Sequence, residues 1–124
     1  MVTQDKFNDI VTFFFHLQVL NKLYHWNTTS FGRHKATDGF NENFLDLIDK
    51  FIEVFIGTYN MKPHINDIKI NNDYMTDEGI VKLFVFTKKY LKSFDSMIDS
   101  TDLLNIRDEI LAEVNKTLYL FRLN

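Results

Sequence analysis

The stretch "TYNMKPHINDIKINNDYM", residues 58–75, holds the chain's only proline, a pair of adjacent asparagines and no helical periodicity. It separates two pairs of segments that do read as helices, so its reading decides the fold. On its N-terminal side, residues 4–26 contain neither Gly nor Pro and predict a first helix. "NTTSFGR" follows as a polar connection, and "HKATDGFNENFLDLIDKFIEVFIG" then returns to helical periodicity and stops at Gly57. On the other side, Thr76 offers an N-cap with Asp77 and Glu78 in the first turn, and apolar residues run from Ile80 to Ile98. "DST" breaks the chain there, and Ser100 or Thr101 can cap a fourth helix from Asp102 to about Leu123. Short loops make helices antiparallel neighbours, whereas a connection as long as 58–75 can run the length of a bundle and leave the second and third helices parallel. The expected fold is all-α, a four-helix bundle with one long crossover between the second and third helices. An up-and-down bundle with a disordered middle segment is the competing reading.

A chain of 124 residues suits one domain, taken as 1–124. Thirteen Phe and five Tyr against a single Pro describe a packed helical protein rather than a disordered one. The formal charge of −3 gives no general attraction to phosphate backbones. No run approaches the roughly 18 apolar residues that span a bilayer, and "MVTQDKFNDI" lacks the basic and apolar regions of a signal peptide. The expectation is a soluble, cytoplasmic protein with no membrane partner. The absence of cysteine excludes disulfides, thiolate catalysis, iron–sulfur clusters and Cys-type zinc sites. Any metal must then be held by His, Asp, Glu or backbone oxygen, which favours iron, manganese, zinc or calcium over copper(I).

Two helices carry further information. The first is apolar on most sides, from Phe7 to Trp26, and must be buried on more than one of them. The second burying surface is most simply another copy of the chain. On a helical wheel of the second helix, His34, Asp38, Glu42, Asp46, Asp49 and Glu53 share one stripe, roughly −40° to 80° from Asp38. Phe40, Phe44, Leu47, Ile48, Phe51 and Phe55 centre near about 240°, on the opposite side. The acidic stripe therefore faces away from the chain's own core. Di-iron bundles project their ligands, including Glu-x-x-His pairs, into the core, and this chain contains no Glu-x-x-His. The stripe is either a solvated face or half of a site that a neighbouring subunit completes.

"YHWN" at 24–27, followed by His34-x3-Asp38 and then Asp49-x3-Glu53, resembles the Dps-type miniferritins, ferritin-like dodecameric cages that oxidise and store iron. "STDLLNIRDEILAEVNKTLYLFRL" is similar to that family's last helix, and "WNTTSFGRHKA" to short Dps-like proteins of tailed phages and large DNA viruses. The resemblance implies a homo-oligomer built on two-fold dimers, up to a dodecamer. It implies a metal site shared across the two-fold axis, with His25, His34 and Asp38 presented outward by one subunit and Asp49 and Glu53 supplied by its partner. It implies a ferroxidase, in which Fe(II) is oxidised to Fe(III) by peroxide or oxygen at a dinuclear centre and then stored as mineral. Zinc or manganese are alternative ions. Tyr24 and Trp26 adjoin the site and either carry electrons or pack at the interface.

Two departures accompany the resemblance. The connector between His25 and His34 is shorter than the family's usual one, and the Lys- and Arg-rich tail used on DNA is absent, so DNA condensation is not expected. His16 reads as a core or interface residue and His64 as exposed, while Glu42 and Asp46 read as solvated. A different class of function is a ferritin-like structural or virion-associated oligomer without catalysis, placed in a host cytoplasm or a virion. A metal-stabilised dimer is a third.

Overall fold

A computed structural model describes residues 2–123. Helix α1, Gln4–Asn27, begins where the Thr3 hydroxyl accepts from the Lys6 N–H at 3.2 Å, and the N–H of Thr28 closes it on the Tyr24 carbonyl. Helix α2, Phe31–Tyr59, begins earlier than the predicted start at His34 because Ser30 caps it, accepting from the Arg33 N–H. Only residues 28–30 remain as the connection. Its end also differs from expectation: Gly57 lies within the helix, and Asn60 stops it by taking the left-handed conformation (φ 55°, ψ 43°). Asn tolerates that region better than most residues, since its short polar side chain bonds locally.

The segment from Asn60 onward is irregular except for one 3₁₀ turn, Asn72–Met75. Thr76 then caps helix α3, Asp77–Lys92, by accepting from the Gly79 N–H at 2.9 Å. A second 3₁₀ turn, Ser93–Ser96, carries the chain towards helix α4, Thr101–Phe121. Ser100 occupies the N-cap position of α4, but its hydroxyl bonds the Asp102 carboxylate instead of a backbone N–H.

Around the bundle, α1 lies beside α2, α2 beside α4, α4 beside α3 and α3 beside α1, which sets α2 and α3 on a diagonal. Phenylalanine fills the middle. Phe7 stacks on Phe55 at 4.0 Å, and Phe14 stands edge-on to Phe44 and Phe51 at 5.9 and 5.6 Å. Each such ring contributes about 1.5–3 kcal/mol by burial alone, and edge-to-face contacts add to this.

The long connection follows α1. Gln4 Nε2 donates to the Lys62 carbonyl at 2.7 Å, the His64 N–H to Asn8 Oδ1 at 2.9 Å, and the Asn66 N–H to Thr12 Oγ1 at 3.1 Å. Gln4, Asn8 and Thr12 form one i, i+4 row, so polar side chains on α1 satisfy backbone that has no regular structure of its own. Further along, the Tyr24 hydroxyl donates to Asp77 at the start of α3. The connection thus travels from the N-terminal to the C-terminal end of α1, and α3 starts at the same end of the bundle as α2.

This path revises one expectation. The second burying surface of α1 is supplied in part by the same chain: Phe13 packs on Tyr90 and Phe86 of α3 at 4.5 and 5.8 Å, with the connection alongside. A different strip of α1 stays open, with Val19 38% and Trp26 65% exposed. Among the described residues, no helix is long and apolar enough to cross a membrane.

Candidate functional site

The three-residue connection 28–30 turns α1 back on α2 so tightly that His25, in the last turn of α1, meets His34, near the start of α2. The two rings stack at 3.8 Å with an interplanar angle of 18°. Their hydrogen bonds are reciprocal: His25 Nδ1 lies 2.8 Å from the His34 carbonyl, and His34 Nδ1 lies 2.9 Å from the His25 carbonyl. A carbonyl only accepts, so each Nδ1 carries a proton, and a neutral ring in this tautomer keeps its lone pair on Nε2. His25 Nδ1 is also 3.0 Å from Thr37 Oγ1, whose own proton is directed to the Arg33 or His34 carbonyl. A ring nitrogen held by a backbone carbonyl while the other stays free is the arrangement that prepares an imidazole for a metal.

His25 is not presented outward as the resemblance implied. It is 6% exposed, drawn inward by these bonds. Burial lowers its pKa below the ordinary histidine value, the nearby His34 lowers it further, and the carboxylate of Asp38 pulls weakly the other way. The ring is therefore neutral at pH 7, as a metal ligand must be. Asp38 is half-buried, one turn beyond His34 on α2.

Asp49 and Glu53 are exposed on the same helix, as are Glu42 and Asp46. At a rise of about 1.5 Å per residue, Asp49 is about 16 Å along the axis from Asp38 and about 22 Å from His34. One chain cannot bring the two groups together. Accordingly, among the described residues, no three His, Asp or Glu side chains converge on a point where they could hold an ion.

The aromatic pair beside the histidines divides. Tyr24 is fully buried and points away into the bundle, where its hydroxyl donates to Asp77 and accepts from Arg33 Nη1. Burial and the Asp77 bond raise its pKa. Trp26 is largely exposed, with Lys22 Nζ 5.5 Å from its ring. Two residues escaped the sequence reading. Thr37 carries the hydroxyl that holds His25, and Arg33 joins three elements by donating to Tyr24, to the Asp77 carbonyl and to the Phe121 carbonyl. Neither has a periodic or spacing signal; the only cue for Thr37 is its place one turn after His34.

No curated protein and no solved structure matches the chain. Residues 25–121, a span that takes in both stacked histidines and the carboxylates of α2, match DUF5856, a family of unknown function, and the chain belongs to that family.

Proposed function

We propose that the protein is a Dps-like iron-binding ferroxidase whose site is shared by two chains. The observation that carries this reading is the reciprocal histidine clip, which frees Nε2 on both rings within a chain that holds its remaining acidic candidates too far away to use itself. His25, His34 and Asp38 would come from one chain, and Asp49 and Glu53 from an antiparallel partner across a two-fold axis. The donor set fits Fe(II): carboxylate oxygens and neutral imidazole nitrogens suit a hard-to-borderline cation, and the chain has no thiolate to favour a softer one. Two rings stacked at 3.8 Å would not both aim in-plane lone pairs at one ion, so each histidine would hold a separate ion of a dinuclear site. The bound iron is the substrate and supplies the electrons that reduce peroxide or oxygen. The chain's part is to hold neutral imidazoles with fixed tautomers, to neutralise the cations with carboxylates and to bring two chains together. The connection that runs along α1 supports a ferritin-like topology.

Aerobic Fe(II) titration followed by ferric absorbance tests the reading. The Asp49→Ala/Glu53→Ala variant is expected to oxidise iron at least about ten-fold more slowly than wild type, the scale on which metal sites lose activity when a supporting group is removed. Equal rates would end the proposal. A monomer at micromolar concentration in native mass spectrometry would do the same.

One observation favours a structural reading instead. The clip is complete without metal, because every Nδ1 already has a partner, and it fastens α1 to α2 by itself. In that case the protein is a ferritin-like structural or virion-associated oligomer, or a dimer stabilised by zinc. The Asp49→Ala/Glu53→Ala variant then assembles like wild type and neither oxidises iron.

A further inference from the structure

Between α1, the long connection and α3 lies a groove of about 550 Å³, within the range of about 300–1,000 Å³ typical of small-molecule sites. It is separate from the histidine clip. Its apolar wall is made of Phe13, Phe86 and Tyr90, with the rings of Phe86 and Tyr90 nearly parallel (11°) at 6.3 Å. Phe86 is 54% exposed, so one face of this wall is open to an incoming ring or chain.

Two carboxylates stand among the polar groups. Asp9 and Asp67 line the groove as carboxylates, which when ionised only accept. His16 also lines it, and its Nε2 is buried with no hydrogen-bond partner. Burial lowers the pKa of His16 and outweighs a hydrogen bond with the Lys69 backbone, which raises it, so the ring is neutral at pH 7 and adds no positive charge to the groove. Tyr90 is pushed up to about 12 by burial and by the charge of Asp9, and remains an uncharged aromatic surface. Lys69, whose side chain is exposed, is the one cation on this lining among the described residues. The far wall is tied down, since the Asn66 N–H donates to Thr12 Oγ1 at 3.1 Å and Asn66 Nδ2 to Asp9 Oδ1 at 3.3 Å.

We infer that this groove binds a small organic ammonium ion with an apolar body. Its N–H groups would donate to Asp9 and Asp67, and its body would lie against Phe86 and Tyr90. An ammonium gains charge-assisted hydrogen bonds from the carboxylates and cation–π attraction from the rings. A carboxylate ligand would meet two like charges, and a neutral alcohol would forfeit the charge-assisted part.

Calorimetric titration of the full chain at pH 7 with benzylamine, benzyl alcohol and benzoate separates these cases. Benzylamine is expected to bind saturably, about ten-fold or more tighter than benzyl alcohol, which corresponds to about 1.4 kcal/mol. Benzoate is expected not to bind. Asp67→Asn and Phe86→Ala alter exposed side chains, so both variants should keep the wild-type circular dichroism while weakening benzylamine several-fold. Equal affinity for amine and alcohol, no saturable benzylamine binding, or benzylamine binding untouched by both variants would each overturn the inference. Iron oxidation should be unchanged in Asp67→Asn, so the two sites fail or succeed separately.

Discussion

His25 is buried while the adjacent Trp26 and Asn27 are open to solvent. Each helical residue turns about 100° from the last, so neighbours in sequence face different surroundings, and here one faces α2 and the next faces outward. The same placement has a consequence for pH. His16 and His25 both have pKa values lowered from 6.5, chiefly by burial. Below that value the unfolded chain binds protons that the folded chain resists, so stability falls as pH drops from 6.5 towards the lowered values and is flat above it. Urea unfolding at pH 7.5 and pH 5.5 should show a lower midpoint at the acid end, and His16→Gln should shrink the difference. A midpoint that rises on acidification would contradict the burial assigned to these rings. At this scale the identities of the candidate ligands were legible from spacing. The direction of the His25 ring was not, because it is set by the Thr37 hydroxyl and the His34 carbonyl from the next helix.

Helix ends show the same division between local and distant causes. Thr76 was readable as a cap because the Gly79 N–H it satisfies is three residues away. Gly57 was misread as a stop, since its composition signal is real but nothing in the surrounding structure requires a break there. Glycines 57 and 79 can be contrasted directly. A Cβ on Gly79 would lie 1.9 Å from the Asp73 carbonyl oxygen, because the 3₁₀ turn at Asn72–Met75 rests on the first turn of α3. Gly79→Ala should therefore cost about 1–3 kcal/mol as that turn is forced away. A Cβ on Gly57 meets nothing within 4 Å, so Gly57→Ala should stabilise the chain by roughly 0.5–1 kcal/mol through helix propensity. Denaturant midpoints of the two variants should move in opposite directions, and a neutral Gly79→Ala would show that the turn is not packed as described.

For the whole molecule, the outer strip of α1 and the start of α2 leave Val19, Trp26 and Phe31 exposed, Phe31 by 74%, next to the histidine clip. Under the proposed function this strip meets a second chain. Wild type should then appear as a dimer or larger in native mass spectrometry, with blue-shifted emission from Trp26, the only tryptophan. Phe31→Glu should release monomers and shift that emission to the red; unchanged mass and emission would place the interface elsewhere. The sequence by itself determined four helices, the inward and outward faces of α2, and the distance that keeps Asp49 and Glu53 from His34 within one chain. All of these follow from periodicity and caps, whose partners lie within about one helical turn. Only the tertiary structure decided that the long connection lies along α1, that it covers Phe13 and forms the aromatic groove, and that the two histidines lock each other with both Nε2 atoms free. Those outcomes rest on contacts between residues far apart in the chain, such as Asn66 with Thr12 and Arg33 with Phe121, and no local pattern records them.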